Sequence, residues 1–104
     1  MTSVAEAFLR VRYARAERIV GRRIADEFLL VPIVGRGAEI DALFTLSRVG
    51  TFIWEQLDGE KTGEDVVSAL LERFEVDRPR AELDYREFVE QLLSVGAVRA
   101  NGPK

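Results

Sequence analysis

Adjacent carboxylates stand at Asp26-Glu27 and Glu64-Asp65, and Lys61-Thr62-Gly63 places an amine beside a hydroxyl and a glycine. These are residue types that acid–base catalysis, cation binding or phosphate binding would use. Their spacing argues against each. Glu64-Asp65 follows Thr62 as the first turn of a helix, where acids stabilise the positive end of the helix dipole, and Asp26-Glu27 reads as a turn. Lys61-Thr62-Gly63 lacks the order of a P-loop, and the acids do not follow the spacing of a calcium loop. The chain contains no His and no Cys. That excludes thiolate nucleophiles, Ser-His and Cys-His dyads, disulfide frameworks and zinc ribbons. Carboxylate, Lys, Tyr or Ser/Thr chemistry is what survives for catalysis, so a binding or adaptor role gains weight, and a non-catalytic protein with no cofactor and no metal is expected.

The elements that would carry a binding site must come from one small domain, because 104 residues give one core. With 47% hydrophobic and 32% charged residues the chain can fill that core and still clothe its surface. The net charge of -3 is unevenly spread: six Arg and two Glu give residues 1–24 a charge of +4, which leaves -7 for the rest. The Arg run, Arg10, Arg12, Arg15, Arg18, Arg22 and Arg23, reads as a solvated face that would also suit an acidic partner. No apolar run approaches the roughly 20 residues of a membrane span, and no signal peptide is evident, so a soluble cytoplasmic protein with no membrane partner is expected.

Residues 1–16 read as an N-terminal arm. Ser3 and Glu6 fit a capping box for a short helix, while the alternation of Leu9, Val11 and Tyr13 with Arg10 and Arg12 suits an extended segment equally well. Ile19 to Ser47 carries the signals of three short antiparallel strands: Ile19–Ile24, Phe28–Val34 and Leu43–Leu46. Pro32 cannot donate to a sheet ladder and is expected at an edge or a bulge. Beyond Ser47 the period becomes helical. Ser47 caps a helix with the stripe Val49, Phe52, Ile53 and Leu57, which Asp58-Gly59 ends, with Asp58 holding backbone amides. Thr62 caps a second helix with Val66, Val67, Leu70, Leu71 and Phe74. A third follows Asp77-Arg78-Pro79 with the stripe Ala81, Tyr85, Phe88, Leu92 and Val95, flanked by Val89 and Leu93, and stops at Gly96. Trp54 reads as a packing anchor. The expected fold is α+β and winged-helix-like, a three-stranded antiparallel sheet followed by a three-helix bundle over 17–100, with 101–104 a flexible tail.

Trp54-Glu55-Gln56-Leu57-Asp58-Gly59 with Lys61-Thr62 and the helix from Glu64 to Phe74 resembles the signature of the PqqD family, small peptide chaperones named for pyrroloquinoline quinone biosynthesis. The similarity runs back through Leu29-Val31-Pro32-Ile33 and Phe44 to Gly50, and forward through Phe74-Glu75-Val76 and Asp84 to Phe88, as far as Val98. Ser47 stands where the family usually has Asn. The resemblance implies a recognition element for ribosomally made precursor peptides. The leader segment would add as a strand to the sheet edge, between the third strand and the third helix, and be presented to a modifying enzyme, often a radical SAM protein.

On this reading Leu43, Phe44 and Thr45 supply the edge, and Tyr85, Arg86, Val89 and Leu93 supply the opposing wall. An exposed edge offers unpaired amides and carbonyls to any extended peptide, and pockets beside it read alternate side chains. Two other readings stand. A winged-helix DNA-binding regulator is disfavoured, because residues 63–75 carry Glu64, Asp65, Glu72 and Glu75 against Arg73 alone. A homodimerisation or interaction module would be favoured if Phe8, Leu9 and Tyr13 packed on a second copy.

Overall fold

The computed structural model describes residues 4–32 and 44–103. Two three-stranded antiparallel sheets flank a set of helices. The first sheet is the expected meander, β2 (Ile19–Ile24), β3 (Glu27–Pro32) and β4 (Phe44–Leu46), in the order β2-β3-β4. The second joins β5 (Asp58–Thr62), β1 (Val11–Arg15) and β6 (Val98–Pro103), in the order β5-β1-β6. The helices are α1 (Val4–Arg10), α2 (Arg48–Gln56), α3 (Gly63–Arg73) and α4 (Arg78–Ser94). Among the described residues no helix is long and apolar enough to cross a membrane.

The caps read from the sequence form as expected. Ser47 Oγ accepts the Gly50 N–H at 3.0 Å and starts α2. Thr62 and Asp65 exchange hydrogen bonds across the first turn of α3, Asp65 N–H to Thr62 Oγ1 at 3.2 Å and Thr62 N–H to Asp65 Oδ2 at 2.9 Å. Asp77 accepts the Arg80 N–H at 2.9 Å ahead of Pro79 and begins α4. Gly96, at φ +72°, ends the turn beyond α4 in the left-handed region that glycine enters without strain.

The second sheet is where the expectation falls short. Residues 4–15 are a helix and then a strand, so each of the two readings of that segment holds for one half of it. Asp58–Thr62, read as a turn after a helix, runs on as β5. Residues 98–103 pair with β1 as β6, where 101–104 were expected to be a flexible tail. Neither terminal strand has a strong apolar period, and each is held by partners far away in sequence. Arg12 is one such tether: its guanidinium donates to the carbonyls of Asn101 at 3.2 Å and Gly102 at 3.4 Å. Pro32 is the last residue of the central strand β3 and not part of an edge strand, so its missing N–H interrupts no interior rung.

Asp58 organises the start of β5. Its Oδ2 accepts from Lys61 Nζ, and its Oδ1 from the backbone N–H of Lys61 and of Glu60, each at 2.9 Å. The Lys61 ammonium and these two amides hold the carboxyl well below the usual carboxylate range. A carboxyl whose pKa is lower in the folded state stabilises the fold above its unfolded value, near 3.9, and loses that contribution as pH falls. Asp58→Ala should therefore lose about 1 kcal/mol at pH 7. In urea unfolding the gap to the parent should narrow progressively below about pH 4. A gap that stays constant with pH would show that the ionised carboxylate is not what holds the turn.

The core sits where α3 and α4 meet α2, β1 and β3. Leu30, Ile53, Leu57, Val66, Val67, Leu70, Tyr85, Val89 and Leu92 are all at most 1% exposed, and Trp54 is the packing anchor expected of it at 2%. The N-terminal segment packs onto this core. The Phe8 ring lies 5.5 Å from Tyr13 and 5.8 Å from Tyr85, edge-on to the latter. Gly63 permits the approach, since a Cβ there would stand 2.8 Å from the Tyr85 ring and 3.0 Å from Leu9 Cα. Phe8 and Tyr13 thus pack on partners within their own chain.

Candidate functional site

The candidate site begins at β4, the last strand of the first sheet. Its register against β3 pairs Phe44 with Leu30, Thr45 with Leu29 and Leu46 with Phe28. The hairpin β2–β3 turns through Ala25-Asp26, so Ile24 and Glu27 close a two-residue turn. In such a hairpin the closing residues exchange hydrogen bonds, and bonding then alternates along the strand. Glu27, Leu29 and Val31 accordingly bond toward β2, while Phe28 and Leu30 bond toward β4. By the same alternation Phe44 and Leu46 bond to β3, and the N–H and C=O of Thr45 point to the outer edge of β4, with which no strand pairs among the described residues. Thr45 is exposed.

Beside this edge lies a concavity of about 240 Å³ between the first turn of α2 and the middle of α4. Ser47, Val49, Gly50 and Ile53 form one side, and Asp84, Glu87, Phe88 and Gln91 the other. Phe88 is half-buried and forms the floor, packed so closely on α2 that a Cβ at Gly50 would stand 3.3 Å from its ring. Leu46 adjoins the same spot, its Cβ 3.7 Å from that position. Asp84 is paired with Arg80 at 3.1 Å. The groove thus combines an apolar floor with an acidic far wall. Among the described residues no cluster of carboxylates is arranged to hold a metal.

Other sheet edges are less suitable for an added strand. β2 carries Arg22 and Arg23, β5 carries Asp58, Glu60 and Lys61, and β6 ends in Gly102-Pro103. Charges and proline discourage pairing at an edge.

The expected site residues divide. Phe44 and Thr45 are on the free edge, and Leu43 lies outside the described residues. Tyr85 and Val89, both expected to wall the groove, are 0% exposed and belong to the core. Arg86 is exposed and pairs with Glu90 at 3.7 Å, facing a different concavity shared with Phe8, Leu9 and Leu83. Leu93 is 38% exposed and borders none of these hollows. The reason is a small rotation of α4. The buried line is Ala81, Tyr85, Val89 and Leu92, so Phe88 moves from the core to the groove and Val95 is 45% exposed. The groove face missed by the sequence reading is Asp84, Glu87, Phe88 and Gln91, an i, i+3, i+4, i+7 set with one aromatic among polar residues.

Known proteins bear on this geometry. The family model described as "Coenzyme PQQ synthesis protein D (PqqD)" matches residues 33–98. A solved structure, "TbiB1 in Complex with the TbiA(beta) Leader Peptide", is similar at 29% identity and a TM-score of 0.65, covering 83% of this chain and 94% of that one. No curated protein matches the chain.

Proposed function

Because the chain belongs to the PqqD family, we propose that it binds the leader segment of a ribosomal precursor peptide as an added strand on β4 and presents that peptide to a modifying enzyme. The observation that carries the reading is the free edge at Thr45 beside the Phe88 groove. The similar solved chain is itself described in complex with a leader peptide. Main-chain pairing supplies affinity that tolerates varied sequence, and the groove supplies selection by taking alternate apolar side chains. The chemistry belongs to the partner, for which a radical SAM enzyme is the proposed class, since this chain offers neither His nor Cys. The protein acts as a non-catalytic adaptor.

A winged-helix reading with DNA as ligand draws no support from the surface. Glu64, Asp65, Glu72 and Glu75 are exposed around α3, with Arg73 as its basic residue. Such a helix meets phosphate with like charge.

The test is Thr45→Pro. Proline removes the N–H aimed at the peptide while the bonds from Phe44 and Leu46 to β3 are kept. Affinity for a synthetic leader peptide that binds the parent should fall about tenfold by calorimetry, the equivalent of one hydrogen bond, with the circular dichroism spectrum unchanged. Unchanged affinity would place the peptide elsewhere.

A further inference from the structure

The junction between β4 and α2 has a second hollow on its other side. Leu46, the last residue of β4, and Arg48, the first of α2, border a concavity of about 200 Å³, whereas Ser47 and Val49 between and after them border the groove. Arg23 from β2, Arg48 from α2 and Arg73 from α3 converge on it. The Arg23 guanidinium lies 5.5 Å from the Phe28 ring centre and that of Arg73 lies 5.9 Å from Phe52, which itself meets Phe74 edge-on at 5.5 Å. Two of the three cations are thus held against aromatic faces.

Asp26 and Glu55 also border the hollow, yet among the described residues none of these three arginines has a carboxylate within 4.0 Å. The arginines of α4 behave differently, since Arg78, Arg80 and Arg86 are each in an ion pair. Arg48 also sits at the start of a helix with no acid in its first turn, where a cation opposes the helix dipole. A position that breaks a local rule without local compensation points to a ligand.

We infer that this hollow takes an acidic stretch of the same leader peptide, next to the segment that pairs with β4; the inference rests on the proposed function and names the substrate's charge pattern. Continuity argues for the peptide as occupant. A chain lying along β4 and leaving at its Ser47 end emerges beside Arg48, the first residue of α2, which borders the hollow. Charge separates the two parts of the peptide. Asp84 and Glu87 in the groove repel carboxylates, and the three arginines attract them, with planar forks suited to bidentate carboxylate contacts.

The experiment selects random 16-residue peptides displayed on phage against the full chain and against its R23Q/R48Q/R73Q variant. The parent should enrich peptides with an apolar alternating segment and two or more Asp or Glu on one side of it. The variant should enrich the apolar segment alone. A synthetic peptide from the parent selection should bind the variant at least tenfold more weakly, and its Glu→Gln, Asp→Asn counterpart should bind both proteins alike. Acid enrichment that is absent from the parent selection, or that persists with the variant, overturns this inference and leaves the groove reading intact. A random 20-nucleotide single strand that binds the parent as tightly as the peptide, and only through these arginines, overturns it in favour of phosphate. If neither selection yields a peptide, the proposed function fails as well.

Discussion

Val89→Asp is expected to unfold the protein at 25 °C. Val89 has no exposed surface and lies in the same cluster as Tyr85, Leu92 and Leu70. The substitution removes the burial of a Val side chain, worth about 1.5 to 3 kcal/mol, and leaves a carboxylate in a place where nothing can hydrate it. An unpaired buried charge costs several kcal/mol more, even after the group takes up a proton. Domains of this size are stable by only about 5 to 15 kcal/mol, so the two losses together consume most or all of the margin. Loss of the cooperative thermal transition in circular dichroism is the expected result. A folded variant with weakened peptide binding would instead return Val89 to the groove, where the sequence reading had placed it.

Phe88→Ala is expected to do the opposite: leave a folded domain that no longer holds its peptide. The ring is half-buried, lies close against Gly50 of α2 and lines the groove. Partial exposure limits the stability cost to about 1 to 2 kcal/mol, below that of a fully buried Phe. That is a fall of some 4 to 16 °C in Tm for a domain of this size. Binding loses the floor against which an apolar leader side chain packs. Truncation of a central aromatic anchor costs about 2 kcal/mol or more, or a thirtyfold weaker Kd. Calorimetry at 20 °C, below the lowered Tm, separates the two effects. Binding within threefold of the parent would show that the floor lies elsewhere.

The contrast between these neighbours shows where the sequence was readable. Caps at Ser47, Thr62 and Asp77 are local chemistry, a side-chain oxygen three residues from a free amide, and they could be read directly. The three strands of the first sheet and the three long helices followed from period and turn residues, and the resemblance to the PqqD family named the fold. Distinguishing Phe88 from Val89 was harder. A step of one residue is 100° around a helix, so a stripe with apolar residues at 81, 85, 88, 89, 92, 93 and 95 fits two orientations of α4. Burial by α2, α3 and the N-terminal segment chose between them, and that is non-local. The second sheet was hidden for a related reason. β1 is Arg-rich, β5 reads as a turn, and β6 contains Asn101-Gly102-Pro103, so none has a strand pattern of its own. The run of arginines likewise seemed a uniform solvated face. Arg12 instead tethers β6, Arg15 lies 6.0 Å over Trp54, and Arg23 turns toward Phe28.

The division of labour that results is plain in physical terms. Under the proposed function, backbone groups at one short edge, an aromatic floor and three arginines with no carboxylate partner among the described residues hold an extended peptide. The most direct measurement is amide hydrogen exchange by NMR on the full chain, free and saturated with a synthetic leader peptide that binds it. The account predicts that the Thr45 amide, free to exchange with water alone, becomes at least tenfold slower in the complex, while the amides of Phe44 and Leu46, already bonded to β3, change less. A saturated complex in which Thr45 exchanges as fast as before, with protection gained at β2, β5 or β6 instead, would contradict it.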